Sequence, residues 1–252
     1  MWGMEGKVVI VTGGAKGIGR AYAEAFAASG ARVVIADIDL AAADSFAEEL
    51  RSQGRQAMAG KVDVAEAESC QNLARYVWEK WQGIHVLVNN AAIYSTLTRK
   101  SFMEISGEEW DQVLAVNVRG MLFCSQAVFP YMKQQQYGKI INISSSSIFK
   151  GSPHFLHYVT SKAGVVGFTR ALAREVGTEG ITVNAVAPGL TDSGANDQVS
   201  PAERFKKAIA DRCIKRAEFP ADLTGTVLFL ASHHSDFMTG QLLNVDGGAC
   251  MY

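Results

Sequence analysis

The chain has 252 residues, 24 basic and 25 acidic side chains, a net charge of -1 at pH 7 and 48% hydrophobic residues. That length and apolar content suit one α/β domain with a large core. The balanced charge, with no basic run, leaves no electrostatic footprint for nucleic acid or for an anionic membrane. The longest early apolar run, residues 8–11, is too short for a membrane span or an export signal. Cys70, Cys124, Cys213 and Cys250 stand far apart without a C-x-x-C, and the histidines lack companions at ligand spacing. Reduced thiols, a cytoplasmic location and no metal site are therefore expected.

In chain order, residues 7–12 (KVVIVT) read as a buried parallel strand that ends in glycine. Gly13-Gly14-Ala15-Lys16-Gly17-Ile18-Gly19 then opens a helix that stops at Gly30. Glycines at 13, 17 and 19 let backbone approach a ligand closely, and the unpaired N–H groups of a helix amino terminus suit a pyrophosphate. The spacing is G-x-x-x-G-x-G, not the commoner G-x-G-x-x-G. A second strand, 31–38 (ARVVIADI), delivers Asp37 eighteen residues after Gly19, followed by Ile38. A carboxylate there accepts ribose hydroxyls and repels a 2′-phosphate, which favours NAD, while the Lys16 cation keeps NADP open. The alternative reading of Asp37 is a helix cap.

A helix over 40–53, a third strand over 55–62 closed by Asp63-Val64, and a helix over 66–81 follow. The fourth strand, 84–88, runs into Asn89-Asn90-Ala91-Ala92, whose small residues leave room for a ligand in the crevice. Ser106-Gly107-Glu108-Glu109 is a capping-box signature for one long helix over 107–136. Asn117 lies inside it among valines and leucine, which points either to a hydrogen-bonding task at the site or to an interhelical bond. A fifth strand precedes Ser144-Ser145-Ser146-Ser147, and a helix carries Tyr158 on through Gly164, Gly167 and Ala171 to Val176. The sixth strand, 181–186, leads to Pro188-Gly189-Leu190-Thr191. A substrate lid spans about 190–219, with a short helix capped at Ser200-Pro201-Ala202-Glu203. A helix over 220–231 and a strand over 241–245 end the pattern. Strands alternate with helices throughout, which predicts a single-domain, doubly wound Rossmann fold with a parallel seven-stranded sheet.

Tyr158 and Lys162 are four apart, so on a helix they share a face. A cation about 4 Å from a phenol at an effective dielectric near 20 contributes roughly 4 kcal/mol toward the phenolate, about three pKa units. With Ser145 beside it to fix the reacting oxygen, such a tyrosine serves as general acid or base. The competing reading is an ordinary solvated surface pair.

These residues resemble the short-chain dehydrogenase/reductase family across essentially the whole chain. The likeness rests on Thr12-Gly13-x-x-x-Gly17-x-Gly19, Asp63, Asn89-Asn90-Ala91, Asn117, Ser145, Tyr158-x-x-x-Lys162, Pro188-Gly189 and Val245-Asp246-Gly247-Gly248, in that order. The resemblance implies hydride transfer between a nicotinamide and a carbinol carbon, with Asn117, Ser145, Tyr158 and Lys162 as catalytic residues. Of the four serines, the family's spacing of thirteen before the tyrosine selects Ser145. Asn117 would position a relay water, Asp63 and Val64 would meet the adenine, Asn89 and Ala91 would line the cofactor groove, and Thr191 would approach the carboxamide. Ser193 stands where threonine is usual and Ala92 where glycine is usual.

Within the family the chain looks most like bacterial NAD-dependent secondary-alcohol dehydrogenases acting on aryl ketones, through Asn89 to Tyr94 and His157-Tyr158. Tyr94, Phe149, Phe155, Phe205 and the terminal Met251-Tyr252 would wall an apolar pocket for a ketone or secondary alcohol, unless they serve only in packing. The alternatives are a 3-oxoacyl carrier-protein reductase, a steroid or polyol dehydrogenase, and an idle dinucleotide-binding protein. The resemblance further implies a homotetramer.

Overall fold

The structure, a computed structural model, describes residues 2–194 and 202–251. Ser200, Pro201 and Tyr252, invoked above for a helix cap and a pocket wall, lie outside the described residues. Seven strands form one sheet: β1 (Val8–Thr12), β2 (Arg32–Asp37), β3 (Ala57–Lys61), β4 (Val86–Asn89), β5 (Gly138–Ile143), β6 (Ile181–Pro188) and β7 (Leu242–Val245). Their order is β3-β2-β1-β4-β5-β6-β7, with every pairing parallel. The doubly wound prediction holds, with the strand order reversing between β1 and β4.

Both faces of the sheet are covered, which is why its strands read as continuous apolar runs rather than alternating ones. Val9, Val11, Val33 and Ile35 pack with Tyr22 and Phe26 of α1 (Gly17–Ala28), Phe46 of α2 (Leu40–Ser52) and Leu223 of α9 (Pro220–Ala231). Val8, Ile10, Val34 and Ile140 pack on the other face with Leu73 and Val77 of α3 (Ala67–Trp81), Val128 of α5 (Gly120–Gln135) and Val176 of α7 (Leu156–Val176). Three shorter helices complete the set among the described residues: α4 (Gly107–Leu114), α6 (Ser147–Lys150) and α8 (Ala202–Asp211).

The single helix expected over 107–136 is instead interrupted. A π-helical turn, Ala115–Arg119, joins α4 to α5, and within it the Gly120 N–H reaches back five residues to Ala115 O. The physical reason is Asn117, whose amide is drawn out of the α-helical register to hold the loop after β4, as described below. The span Gly107–Gln135 is long and apolar enough to cross a membrane, yet its apolar side chains pack into the domain, Tyr131 stacking on Trp78 at 4.9 Å. The third strand begins two residues later than expected. The four-residue α6 falls in the serine run, which carried no helical periodicity.

Candidate active site

The carboxyl ends of β1, β4, β5 and β6 open into a cleft of about 560 Å³, placed where the strand order reverses. At one end lies the glycine turn between β1 and α1. Gly13 and Gly17 have φ of +61° and +56°, in the left-handed region that favours glycine. A Cβ at Gly19 would collide with the Gly13 carbonyl. The turn is held from β4: Asn90 Nδ2 donates to Thr12 O at 2.9 Å and Gly13 O at 3.1 Å, while Thr12 Oγ1 accepts from the Asn90 and Ala91 N–H groups. The first helical amide to bond backwards is Arg20, to Lys16 O. The N–H groups of Gly17, Ile18 and Gly19 therefore face the cleft mouth without an intrahelical acceptor, as helix starts do. A Cβ-free cradle lined by such donors fits a pyrophosphate.

Asp37, at the end of β2, accepts from Ala15 N through Oδ2 and from Asp39 N through Oδ1, both at 3.1 Å. It thus braces the glycine turn from the end of β2, with each carboxylate oxygen keeping a lone pair beyond these bonds, and does not itself line the cleft. Lys16, which left NADP open, is exposed and ion-paired to Asp39 at 2.7 Å. The cap of α2 is Asp39, not Asp37, with Oδ1 accepting from Ala42 N. Pro188 and Gly189 line the cleft opposite.

The reacting groups come from β5 and α7. Tyr158 is buried, and desolvation raises its phenol pKa well above the ordinary value. The neighbouring Tyr94 adds to the rise; Ser145 by hydrogen bonding, and Arg204 and Arg99 by their charge, oppose it. Lys162 is buried too, and desolvation lowers its pKa to about 8. Its ammonium donates to Ile143 O at 2.8 Å and lies 5.8 Å from the centre of the Tyr158 ring. The expected depression of the tyrosine by a lysine about 4 Å away is not what this structure holds. Burial dominates, and both groups move toward neutrality.

The four serines separate by their partners. Ser144 Oγ donates to Lys162 O at 2.8 Å and pins α7 to β5. Ser145 Oγ accepts from Ser147 N at 3.2 Å, which leaves its proton free to donate beside the phenol. Ser146 N donates to Pro188 O, and Ser147 Oγ is buried without a partner among the described residues. Only Ser145 combines an anchored oxygen with the place next to Tyr158.

Asn117 does not line the cleft. Its Oδ1 accepts from Ile93 N at 2.7 Å, and its Nδ2 donates to Ile93 O and to Ser161 Oγ. Both amide protons are committed, and the side chain ties the β4 loop to α7, which is the interhelical bond offered as the other reading of this residue. Asn89 is likewise turned inward, with Nδ2 donating to Asn142 Oδ1 at 2.8 Å, and Asn142 continues to Thr169 Oγ1. The residue that reaches the cleft from this pair is Asn90, which sequence reading passed over though it stands beside Asn89. Ala91 lines the cleft as expected. Val64 is buried against Gly120, Asp63 Oδ1 accepts from Ala65 N, and Ile38 is exposed; none of the three lines the cleft.

Of the proposed pocket aromatics, Tyr94 lines the cleft and packs on Tyr158 at 5.2 Å between ring centres. Phe155 borders it but is only 1% exposed, so it backs the wall. Phe149 and Phe205 do not line it, and Met251 is exposed at the surface. In their place stand cations that no motif signalled: Arg99, Lys150, Arg204 and Lys207.

The two ends of the lid region are clasped. Glu218 Oε1 accepts from Gly189 N at 3.1 Å and from Thr191 Oγ1 at 2.8 Å. Its Oε2 pairs with Arg212 at 3.3 Å, and Arg212 also donates to Leu190 O at 2.7 Å. Thr191, expected at the carboxamide, lines the cleft but gives its hydroxyl to this clasp.

A family model described as enoyl-(acyl carrier protein) reductase matches residues 13–250. The chain belongs to the short-chain dehydrogenase/reductase family. Among family members, a 3-oxoacyl-[acyl-carrier-protein] reductase from Synechocystis sp. is 37% identical over the full length of both chains. The (2S)-[(R)-hydroxy(phenyl)methyl]succinyl-CoA dehydrogenase subunit BbsD of Thauera aromatica is 34% identical over 99% of each. A solved structure of a candidate gluconate dehydrogenase from Agrobacterium tumefaciens superposes with a TM-score of 0.92 at 31% identity, over 98% of this chain and 96% of that one. Members of this short-chain family use a nicotinamide cofactor, and the glycine cradle, its free amides and Asp37 fit one.

Proposed function

We propose that this protein is an NAD(H)-linked oxidoreductase that interconverts a ketone and a secondary alcohol, working as a reductase near neutral pH. The observation that supports the reading is that Ser145, Tyr158 and Lys162 line the same cleft as the glycine turn, with Ser145 hydrogen bonded to Tyr158. The bound nicotinamide supplies the hydride. Ser145, its oxygen fixed by Ser147 N, donates to the ketone oxygen and orients it. Tyr158, kept as a phenol by burial, gives that oxygen its proton as the negative charge develops there. Lys162, with a pKa of about 8, is suited to resupply the proton and to hold a hydroxyl of the cofactor. Asp37, with Lys16 neutralised by Asp39, supports NADH over NADPH.

A second reading, reduction of a 3-oxoacyl thioester, is favoured by the likeness to the Synechocystis reductase and by the cations around the cleft, which suit an anionic carrier. It is better supported than the aryl-ketone reading, since of the four described aromatics invoked for that pocket only Tyr94 forms an open wall. We further propose a homotetramer, supported by the open small-residue face of α7 at Gly167, where an added Cβ meets nothing within 4 Å; sedimentation would give four times 27.1 kDa.

The test follows NADH and, separately, NADPH oxidation over acetoacetyl thioesters, aryl ketones, diketones and oxo acids. Turnover with NADH that falls at least 10³-fold in Tyr158→Phe supports the reading. Undiminished activity in that variant overturns the mechanism, and turnover confined to NADPH overturns the role given to Asp37.

A further inference from the structure

Arg99 enters the cleft from the loop after β4. Its guanidinium lies over the Phe155 ring, 4.4 Å from the centre, and Nη1 donates to Pro153 O at 2.9 Å. Phe155 in turn packs on Tyr158 at 4.7 Å, so one ring separates the guanidinium from the proton donor. Arg99 Nε and Nη2 are both buried and have no hydrogen-bond partner among the described residues. Those two nitrogens form the side edge of the guanidinium, whose parallel N–H bonds match the two oxygens of a carboxylate. Burying charged donors without a partner costs free energy, and burial does depress the Arg99 pKa. The charge of Arg204 acts on Arg99 in the same direction.

We infer that Arg99 is a substrate-binding residue whose Nε–Nη2 edge, closed to solvent and unpartnered among the described residues of the free protein, turns into the cleft to hold a carboxylate of the substrate, so that the substrate class is an oxo acid and the product a hydroxy acid. This rests on the reading of Tyr158 and Ser145 as the groups that meet the ketone. The planar edge selects carboxylate over ammonium or neutral groups by charge, and over a thioester because a thioester is uncharged and lacks the second equivalent oxygen that the paired N–H bonds match. Hydride transfer is unchanged: the carbonyl carbon gains the hydride, its oxygen gains the Tyr158 proton, and the carboxylate is a spectator that fixes which face is presented.

The experiment compares acetoacetate, levulinate and benzoylacetate with their methyl esters, using NADH. In the unmodified protein kcat/KM for at least one acid should exceed that for its ester by 10²-fold or more. In Arg99→Met the acid should lose at least that factor while the ester changes less than threefold, with NADH affinity and melting temperature retained. Arg99→Lys, which keeps the charge without the fork, should recover little of the loss. Equal turnover of acids and esters in the unmodified protein, or an equal loss of both in Arg99→Met, overturns the assignment. If no ketone turns over, the reading of the reaction fails, and binding decides this inference separately. Calorimetry of levulinate and of its methyl ester on the NADH-loaded protein should show the acid alone binding, and only with Arg99 present; acid binding that survives Arg99→Met overturns it.

Discussion

Lys162 is fully desolvated in exchange for one hydrogen bond, to Ile143 O. Its folded pKa, about 8, lies below the unfolded value of 10.5, so the unfolded chain binds the extra proton between those limits. Stability of the cofactor-free protein should therefore rise as pH goes from 8 to 10.5. Lys162→Met should remove that rise and be the more stable protein at pH 7 by on the order of 3 kcal/mol, the gap closing at high pH in denaturant titrations. Ser144 and Ser145 give a paired test at the same scale. Ser145→Ala should cut kcat by 10²-fold or more with little change in stability. Ser144→Ala should lower stability by about 1 kcal/mol through the lost bond to Lys162 O, with a smaller effect on kcat. The serine, tyrosine and lysine were legible because their spacing is local to one strand and one helix. Arg99 was not: a lone arginine between threonine and lysine on a loop reads as solvated, and only the long-range packing of Phe155 beneath it buries its inner edge.

The π turn at Ala115–Arg119 is the element that sequence periodicity misread, because apolar spacing continues through it and a one-residue widening leaves no compositional mark. Its consequence is reach. Asn117 binds both backbone groups of Ile93 and the Ser161 hydroxyl, so α4, α7 and the loop carrying Tyr94 move as one piece. Asn117→Leu should leave the Ile93 amide and carbonyl unpaired and destabilise by about 2–3 kcal/mol. Faster hydrogen exchange should be confined to the loop after β4 and the start of α7, and kcat should fall with it. The strands, by contrast, were readable almost to the residue, since burial on both faces demands unbroken β-branched runs. Errors at β3 and β4 are end effects where pairing stops before the apolar sequence does.

For the whole molecule, the reversal of strand order brings the glycine turn and Tyr158 to one cleft, and on the proposed mechanism the state of the phenol should set the favoured direction. Reduction needs Tyr158 protonated and oxidation needs it ionised. With its pKa raised by burial, alcohol oxidation should keep accelerating into the alkaline range, while ketone reduction should decline above pH 8, where Lys162 loses the proton it resupplies. Initial rates in both directions from pH 6 to 11 would show this, and a matched fall of both rates above pH 8 would contradict it. The fold and the direction of the sheet were available from sequence because they depend on repeating local patterns; the character of the cleft wall was not, because it depends on which loop residues converge from 94 to 212. The Glu218 clasp is a second fastening at the same cleft. It fastens residues 189–192 to 212–218 independently of the bonds that seat α7 on β5. The flanks of the region between are thus anchored apart from the seating of the proton donor, so substitutions at the clasp, such as Glu218→Gln, should disturb the cleft wall while leaving the contact of α7 with β5 intact.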